Sequence, residues 1–343
     1  MNGSLQITRV SPLAGIPGGE VAIEYTGATA GFRPELNVLF DGRAAHSTAI
    51  GRKRALVLIP DIDKEGRVQA EISSPGESAA ATADIIVGRQ LATGLHPVAN
   101  PTFDPNDASI YVTRSGSRGE HVPVSIFRIT AEGNVEDFSR DVMNPTSIAF
   151  GRTGRMFVTS RFDGVVYRIT PEHDVVAFAG DLGVATGLAF NRNGDMFVGD
   201  RGGNIFRINE IGEVKPWAKH EPSVSAYHLA FGPDEFLYVS GPTVSSFDAI
   251  TRFDQEGRAS TFYQGLGRPQ GLAFDRAGNL YVAASLRGRR GIVRISADGT
   301  SAELVVAGMN LVGLAFGPEG EMVVATNEAA YRLPLSIHGT LVD

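Results

Sequence analysis

The chain has 343 residues, a formal charge of −7, and 43% hydrophobic against 20% charged residues. No run approaches the 18 apolar residues of a membrane-spanning helix, so no membrane insertion is expected, and the acidic balance argues against a nucleic-acid or anionic-membrane binder. The absence of cysteine excludes disulfides, thiolate catalysis and Cys-ligated zinc, while 41 Gly and 18 Pro imply many turns and an all-β fold.

The opening MNGSLQITRV lacks the charged and apolar regions of a secretory signal. The chain as written is expected in the cytoplasm, or outside it if a signal has been removed. Residues 1–83 read as short alternating strands, QITRVSP, EVAIEYTG, LNVLFDG, RALVLIP and RVQAEISSPG, separated by Gly/Pro turns. That pattern predicts a small β-sandwich. Pro17-Gly18-Gly19 marks a tight turn and Asp41-Gly42 a hairpin. The junction near 79–84 (AAATAD) carries no flexible Gly/Ser run, so the two parts are expected to abut.

From residue 84 onward the sequence repeats. SIAFGRTGRMFV, GLAFNRNGDMFV, HLAFGPDEFLYV, GLAFDRAGNLYV, GLAFGPEGEMVV and a degenerate first copy, NPTFDPNDASIYV, are anchored on Phe150, Phe190, Phe231, Phe274, Phe316 and Phe103. The spacings are 47, 40, 41, 43 and 42 residues. A second landmark, of the type VYRIT or IFRIN, carries Arg128, Arg168, Arg207, Arg252, Arg294 and Arg332. Four short strands per unit is the period of a propeller blade, and stacking blades in a ring buries faces that a lone blade exposes. The last copy supplies three strands. Its fourth is expected upstream, in DIIVGRQLATGL (84–95), so that an N-terminal strand closes six blades by main-chain pairing.

Two resemblances follow. ITRVSPLAGIPGGEVAIEYTG with LNVLFDGRAA resembles the IPT/TIG immunoglobulin-like domain over 5–87. The repeats over 85–335, with GLAF followed by a turn and LYVA, resemble an NHL-type six-bladed propeller of the gluconolactonase/regucalcin-like group. The expected organisation is thus an Ig-like sandwich at 1–83 and a six-bladed propeller at 84–343.

The resemblance implies a divalent metal held by carboxylates and Asn just before the G-x-A-F motif. Here that ring is Ala99, Thr146, Thr186, Tyr227, Gln270 and Val312, with no carboxylate. One position further lie Asn100, Ser147, Gly187, His228, Gly271 and Gly313, where only Asn100 and His228 are plausible ligands. No metal or other cofactor is therefore expected; the alternative is a divalent cation such as calcium or zinc. The same rim gathers arginines: Arg114, Arg161, Arg201 and Arg287 at second-strand ends, and Arg118, Arg268, Arg289 and Arg290 in loops. Guanidinium groups converging on a mouth suit an anion. The leading expectation is a non-catalytic protein binding a small anionic ligand or a protein partner through Arg114, Arg161, Arg201, Thr146, Thr186, Gln270 and Asn327. If the chain is instead a lactonase-like hydrolase or lyase, His228, Asp200 and Tyr227 would carry the chemistry. The third-strand arginines read as structural, exposed between blades or pairing with an acid.

Overall fold

The structure is a computed structural model, described here for residues 4–27, 35–74, 80–117, 119–245 and 247–340. Every regular element among them is a strand.

The repeats fold as antiparallel four-stranded units in chain order. The second repeat is typical: Pro145–Phe150, Met156–Ser160, Val165–Ile169 and Val175–Ala179 pair successively. The third repeats this with Ala185–Phe190, Met196–Asp200, Asn204–Ile208 and Val214–Lys219. In the last repeat Leu311–Phe316, Met322–Thr326 and Ala330–Leu333 are completed by Arg89–Ala92, which pairs antiparallel with Ala330–Leu333. The inner strands of successive repeats touch, and the inner strand of the last touches that of the first, so the units form a ring.

The repeated aromatics explain the stacking. The second-strand aromatic of one unit meets the inner-strand Phe of the next: Tyr111 with Phe150, Phe157 with Phe190, Phe197 with Phe231, Tyr238 with Phe274 and Tyr281 with Phe316. Centroid separations are 4.8–5.8 Å and most are edge-on, the geometry aromatic quadrupoles favour. At closure Val323 takes the aromatic's place beside Phe103.

A belt of hydroxyls reinforces the ring. Thr113 Oγ1 donates to the Thr146 carbonyl (2.7 Å) and Thr159 Oγ1 to that of Thr186 (2.9 Å). Ser240 Oγ donates to the Gln270 carbonyl, and Thr186 Oγ1 accepts from the Tyr227 amide (3.0 Å). Where the fifth repeat has Ala283 in place of the hydroxyl, the Gly271 amide reaches the Val312 carbonyl directly (3.0 Å).

The N-terminal part has two sheets around one core. Gln6–Ser11, Glu20–Thr26, Arg54–Leu58 and His46–Ile50 form one, in the order given. The other contains Ala81–Val87, Gly66–Ser73, Asn37–Phe40 and Arg43–Ala44. Val21, Ile23, Phe40, Val57, Ile72 and Ile85 are among the residues filling the space between them. Asp41 and Gly42 both take positive φ (46° and 80°) in the hairpin, as its two-residue turn requires.

The segment 84–95 divides differently from the expectation. Ala81–Val87 pairs throughout with Gly66–Ser73, so its first residues stay in the N-terminal part. Only Arg89–Ala92 joins the last repeat. Gly88 is the crossing point: a Cβ there would stand 2.8 Å from Leu333 Cγ and 3.2 Å from the Arg332 carbonyl. The two parts do abut. Ala14–Gly15 inserts, parallel to both, between Ala302–Ala307 of the fifth repeat and Ala81–Val87.

Candidate functional site

The ring has two faces. Inner strands begin, and second strands end, at what we call the upper face; the inner-strand phenylalanines mark the lower face. A cavity opens on each.

The upper cavity, about 690 Å³, lies among the fourth, fifth and sixth repeats. Its walls include Arg268, Arg287, Arg290, Gln270, Asn310 and Phe247, and among the described residues no Asp or Glu. The three arginines are exposed, and none takes part in an ion pair among the described residues. Arg287 and Gly288 form the two-residue turn between Leu280–Leu286 and Arg289–Ile295. Both take positive φ (51° and 81°), a turn that ordinarily selects Asn, Asp or Gly at the first place. Arg268 is also left-handed (φ 48°), its amide donating to Asp248 Oδ2 (3.1 Å). Buried Asp248 is otherwise engaged, Oδ1 accepting from the Thr243 amide and hydroxyl at 3.1 and 2.7 Å. It shapes the loop beneath the cavity and is not one of its walls. Phe247 stands 61% exposed at the cavity's edge.

Other expected site residues are placed elsewhere, and several readings are corrected. Thr146 and Thr186, 2% and 1% exposed, lie beneath the rim: Thr186 joins the belt through hydroxyl and carbonyl, Thr146 through its carbonyl alone, its own hydroxyl buried without a partner among the described residues. Asp200 is engaged at both oxygens: Oδ1 accepts from the Val184 amide (2.8 Å) and Oδ2 from Asn204 Nδ2 (3.0 Å). It braces the turn behind it rather than offering a free carboxylate. Tyr227 is 1% exposed, its hydroxyl donating to the Glu221 carbonyl, and burial raises its pKa further from use as an acid or base. Arg161 Nη2 donates to the Gly116 carbonyl (2.6 Å) and Arg201 Nη2 to that of Val224 (3.2 Å), so both tie loops. Arg289 leaves the rim altogether: its Nη2 donates to the carbonyls of Ser11 (2.8 Å) and Glu20 (2.9 Å), joining the fifth repeat to the N-terminal part. Arg114, half-buried, and Asn327, exposed, line neither cavity. Arg118 lies outside the described residues. Gln270 alone of the expected ligand-binding set joins the arginine cavity.

The lower cavity, about 820 Å³, is the central channel. Phe103, Phe150, Phe190, Phe231, Phe274 and Phe316 lie along it, and Asn100, Ser147 and His228 at its deep end. Asn100 acts as a plug. Its Nδ2 donates to the Leu272 carbonyl (3.0 Å) and its Oδ1 accepts from the Leu314 amide (3.1 Å), so one side chain spans two neighbouring repeats. Glycine makes room for it: a Cβ on Gly271 would lie 1.9 Å from Asn100 Oδ1, and one on Gly313 2.5 Å from Asn100 Cα. Asn100 is therefore committed to backbone, not available as a metal ligand. His228 is 3% exposed, and desolvation lowers its pKa to about 4, so the imidazole is neutral near pH 7. Among the described residues no three His, Asp or Glu side chains cluster as metal ligands would. The channel's apolar wall has no counterpart in the sequence reading, although its phenylalanines were the landmark of the repeat.

No protein-family model and no curated protein matches the chain. Solved structures do. An auxiliary nutrient binding protein from Bacteroides thetaiotaomicron is similar over 96% of this chain and 98% of its own, at 14% identity and a TM-score of 0.56. A gluconolactonase from Xanthomonas campestris is similar over 72% of this chain and 90% of its own (15% identity, TM-score 0.59). An inactive variant of virginiamycin B lyase from Staphylococcus aureus, bound to quinupristin, is similar over 87% and 99% (14% identity, TM-score 0.52). The fold is a β-propeller. Propellers at this level of identity share architecture and differ in chemistry, so the function must be argued from the two cavities.

Proposed function

We propose that this propeller is a non-catalytic binding protein that takes a small anionic ligand in the upper, arginine-lined cavity. In this reading six blades are closed by Arg89–Ala92, and an IPT/TIG-type Ig-like sandwich precedes them. The sandwich serves as a fixed spacer. One observation carries the functional reading: three guanidinium groups wall a concave space to which the described residues contribute no carboxylate. Two of them sit at left-handed backbone positions that an arginine occupies at a cost of about 1 kcal/mol each. Arginine at such sites is better explained by recognition than by turn chemistry. The similarity to a nutrient-binding propeller accords with binding.

The test is calorimetric titration with sulfate, citrate and glucuronate. Binding by at least one, lost in an Arg268→Ala/Arg287→Ala/Arg290→Ala variant that still melts cooperatively, is the expected result. Binding that survives the triple substitution, or no binding by any probe, overturns the reading. The alternative, a lactonase-like hydrolase or lyase, draws on the similarity to such propellers. It would be favoured by a melting temperature that falls with EDTA and returns with calcium or zinc.

A further inference from the structure

The lower channel is chemically unlike the arginine cavity and lies on the opposite face. Its volume is within the range of small-molecule sites. The wall is built mainly of the inner-strand Phe, Leu and Ala residues, with Thr102, Ser147 and Thr340 among them, and the charged residues lining it among those described, Asp104, Asp107 and Arg152, are in the turns at its outer end. Asp107 is already paired with Arg128 (2.6 Å). The deep end holds His228, whose Nε2 is buried and has no hydrogen-bond partner among the described residues. Buried polar atoms in native proteins are nearly always paired, and an unpaired one calls for an explanation. Asn100, the other large polar group at that level, has both ends of its amide satisfied.

We propose that the channel binds a slender, uncharged and largely apolar molecule whose terminal hydroxyl hydrogen-bonds His228 Nε2. A hydroxyl both donates and accepts, so it satisfies the imidazole nitrogen in either tautomer. A charged head is disfavoured because, among the described residues, the deep end offers no counter-charge. The phenylalanines supply the contact area. The imidazole stays neutral in the physiological range, which suits an uncharged head. This site is distinct from the arginine cavity: the two share no lining residue among those described.

The experiment is a fluorescence titration of the intact chain with Nile red, a neutral apolar dye, followed by displacement with decan-1-ol, decanoate and decylamine. One dye per chain, displaced better by the alcohol than by either ion, is expected. His228→Phe, which keeps a ring of similar size, should weaken decan-1-ol about fivefold, the loss of one neutral hydrogen bond, and leave the dye nearly unaffected. The Arg268→Ala/Arg287→Ala/Arg290→Ala variant should bind both as the parent does. Absence of dye binding, equal displacement by all three competitors, or an unchanged alcohol affinity in His228→Phe overturns the proposal. Should His228→Phe fail to fold, the imidazole ¹⁵N spectrum of the parent chain decides. Of the seven histidines, the one that titrates lowest should shift on adding decan-1-ol, and no shift overturns the proposal.

Discussion

Arg332, in the third strand of the last repeat, grips Glu65 of the N-terminal part through two parallel hydrogen bonds, Nε to Oε1 and Nη2 to Oε2, both 2.9 Å. The fork matches the carboxylate, the strongest geometry open to such a pair, and the hydrogen bond to Glu65 raises the pKa of the Arg332 guanidinium. The same position elsewhere in the ring serves the blade itself: Arg128 pairs with Asp107 and Glu136, Arg207 with Asp195, Arg294 with Glu303. The last copy has turned a general blade contact into a joint between the two parts.

Arg332→Ala and Glu65→Gln should each destabilise the chain by about 1–2 kcal/mol, more than an exposed pair and less than a fully buried one. The double variant should lose little beyond the larger single loss, because one interaction is removed either way. Urea unfolding of the four proteins checks this. Additive losses would show that the two residues act separately.

Stability should fall as pH drops from about 6.5 to about 4. In the folded chain burial holds His228 neutral down to about pH 4, while in the unfolded chain it takes up a proton near its ordinary value. The unfolded state therefore binds more protons throughout that window, and folding is disfavoured by about 3 kcal/mol at its acid end. His220, also depressed by burial, acts in the same direction. Substituting Phe for His228 should flatten most of the slope; a slope unchanged in that variant would assign it to other groups.

Gly271→Ala should be among the most damaging single substitutions. Its Cβ would overlap Asn100 Oδ1 at 1.9 Å and approach Gly313 Cα at 2.5 Å, backbone that cannot yield. A loss of more than about 3 kcal/mol is expected. By contrast Gly42→Ala, in open space at φ 80°, should cost only about 1 kcal/mol. Comparable melting temperatures for the two variants would contradict the plug.

Anion affinity at the arginine cavity should weaken steadily as sodium chloride rises from 20 to 500 mM, since exposed guanidinium groups are screened over about 10 Å at 0.1 M salt. Binding of decan-1-ol in the channel should hold or strengthen over the same range. Opposite salt responses would mark two sites, and parallel responses would deny them.

Much of the architecture is legible because it rests on local repetition. Phe150, Phe190, Phe231, Phe274 and Phe316 recur since each meets an aromatic from the preceding blade, and the missing fourth strand of the last repeat pointed upstream. What Asp200, Thr146 and Tyr227 do was not legible. Their partners, the Val184 amide, the Thr113 hydroxyl and the Glu221 carbonyl, are set by how the turns fold back and how blades meet. Arginines near a rim look alike in sequence, yet Arg289 serves a joint while Arg290 lines a cavity. Strand alternation separates the two neighbours, but it does not say that the N-terminal part occupies one side. Gly88 is a similar case, since one glycine within an apolar run can mark a bulge, a turn or a passage between sheets.

Ala14–Gly15 has a mechanical consequence. It bonds on one side to the fifth blade, where the Ile16 amide meets the Ala307 carbonyl at 2.9 Å. On the other side the Gly88 amide meets the Gly15 carbonyl at 2.9 Å. Because the three strands run parallel, a pull along the chain between the N-terminal part and the ring loads these bonds in shear, sharing the force among them rather than unzipping them one by one. A tether fastened to the N-terminal part would thus load the fifth blade through several bonds at once.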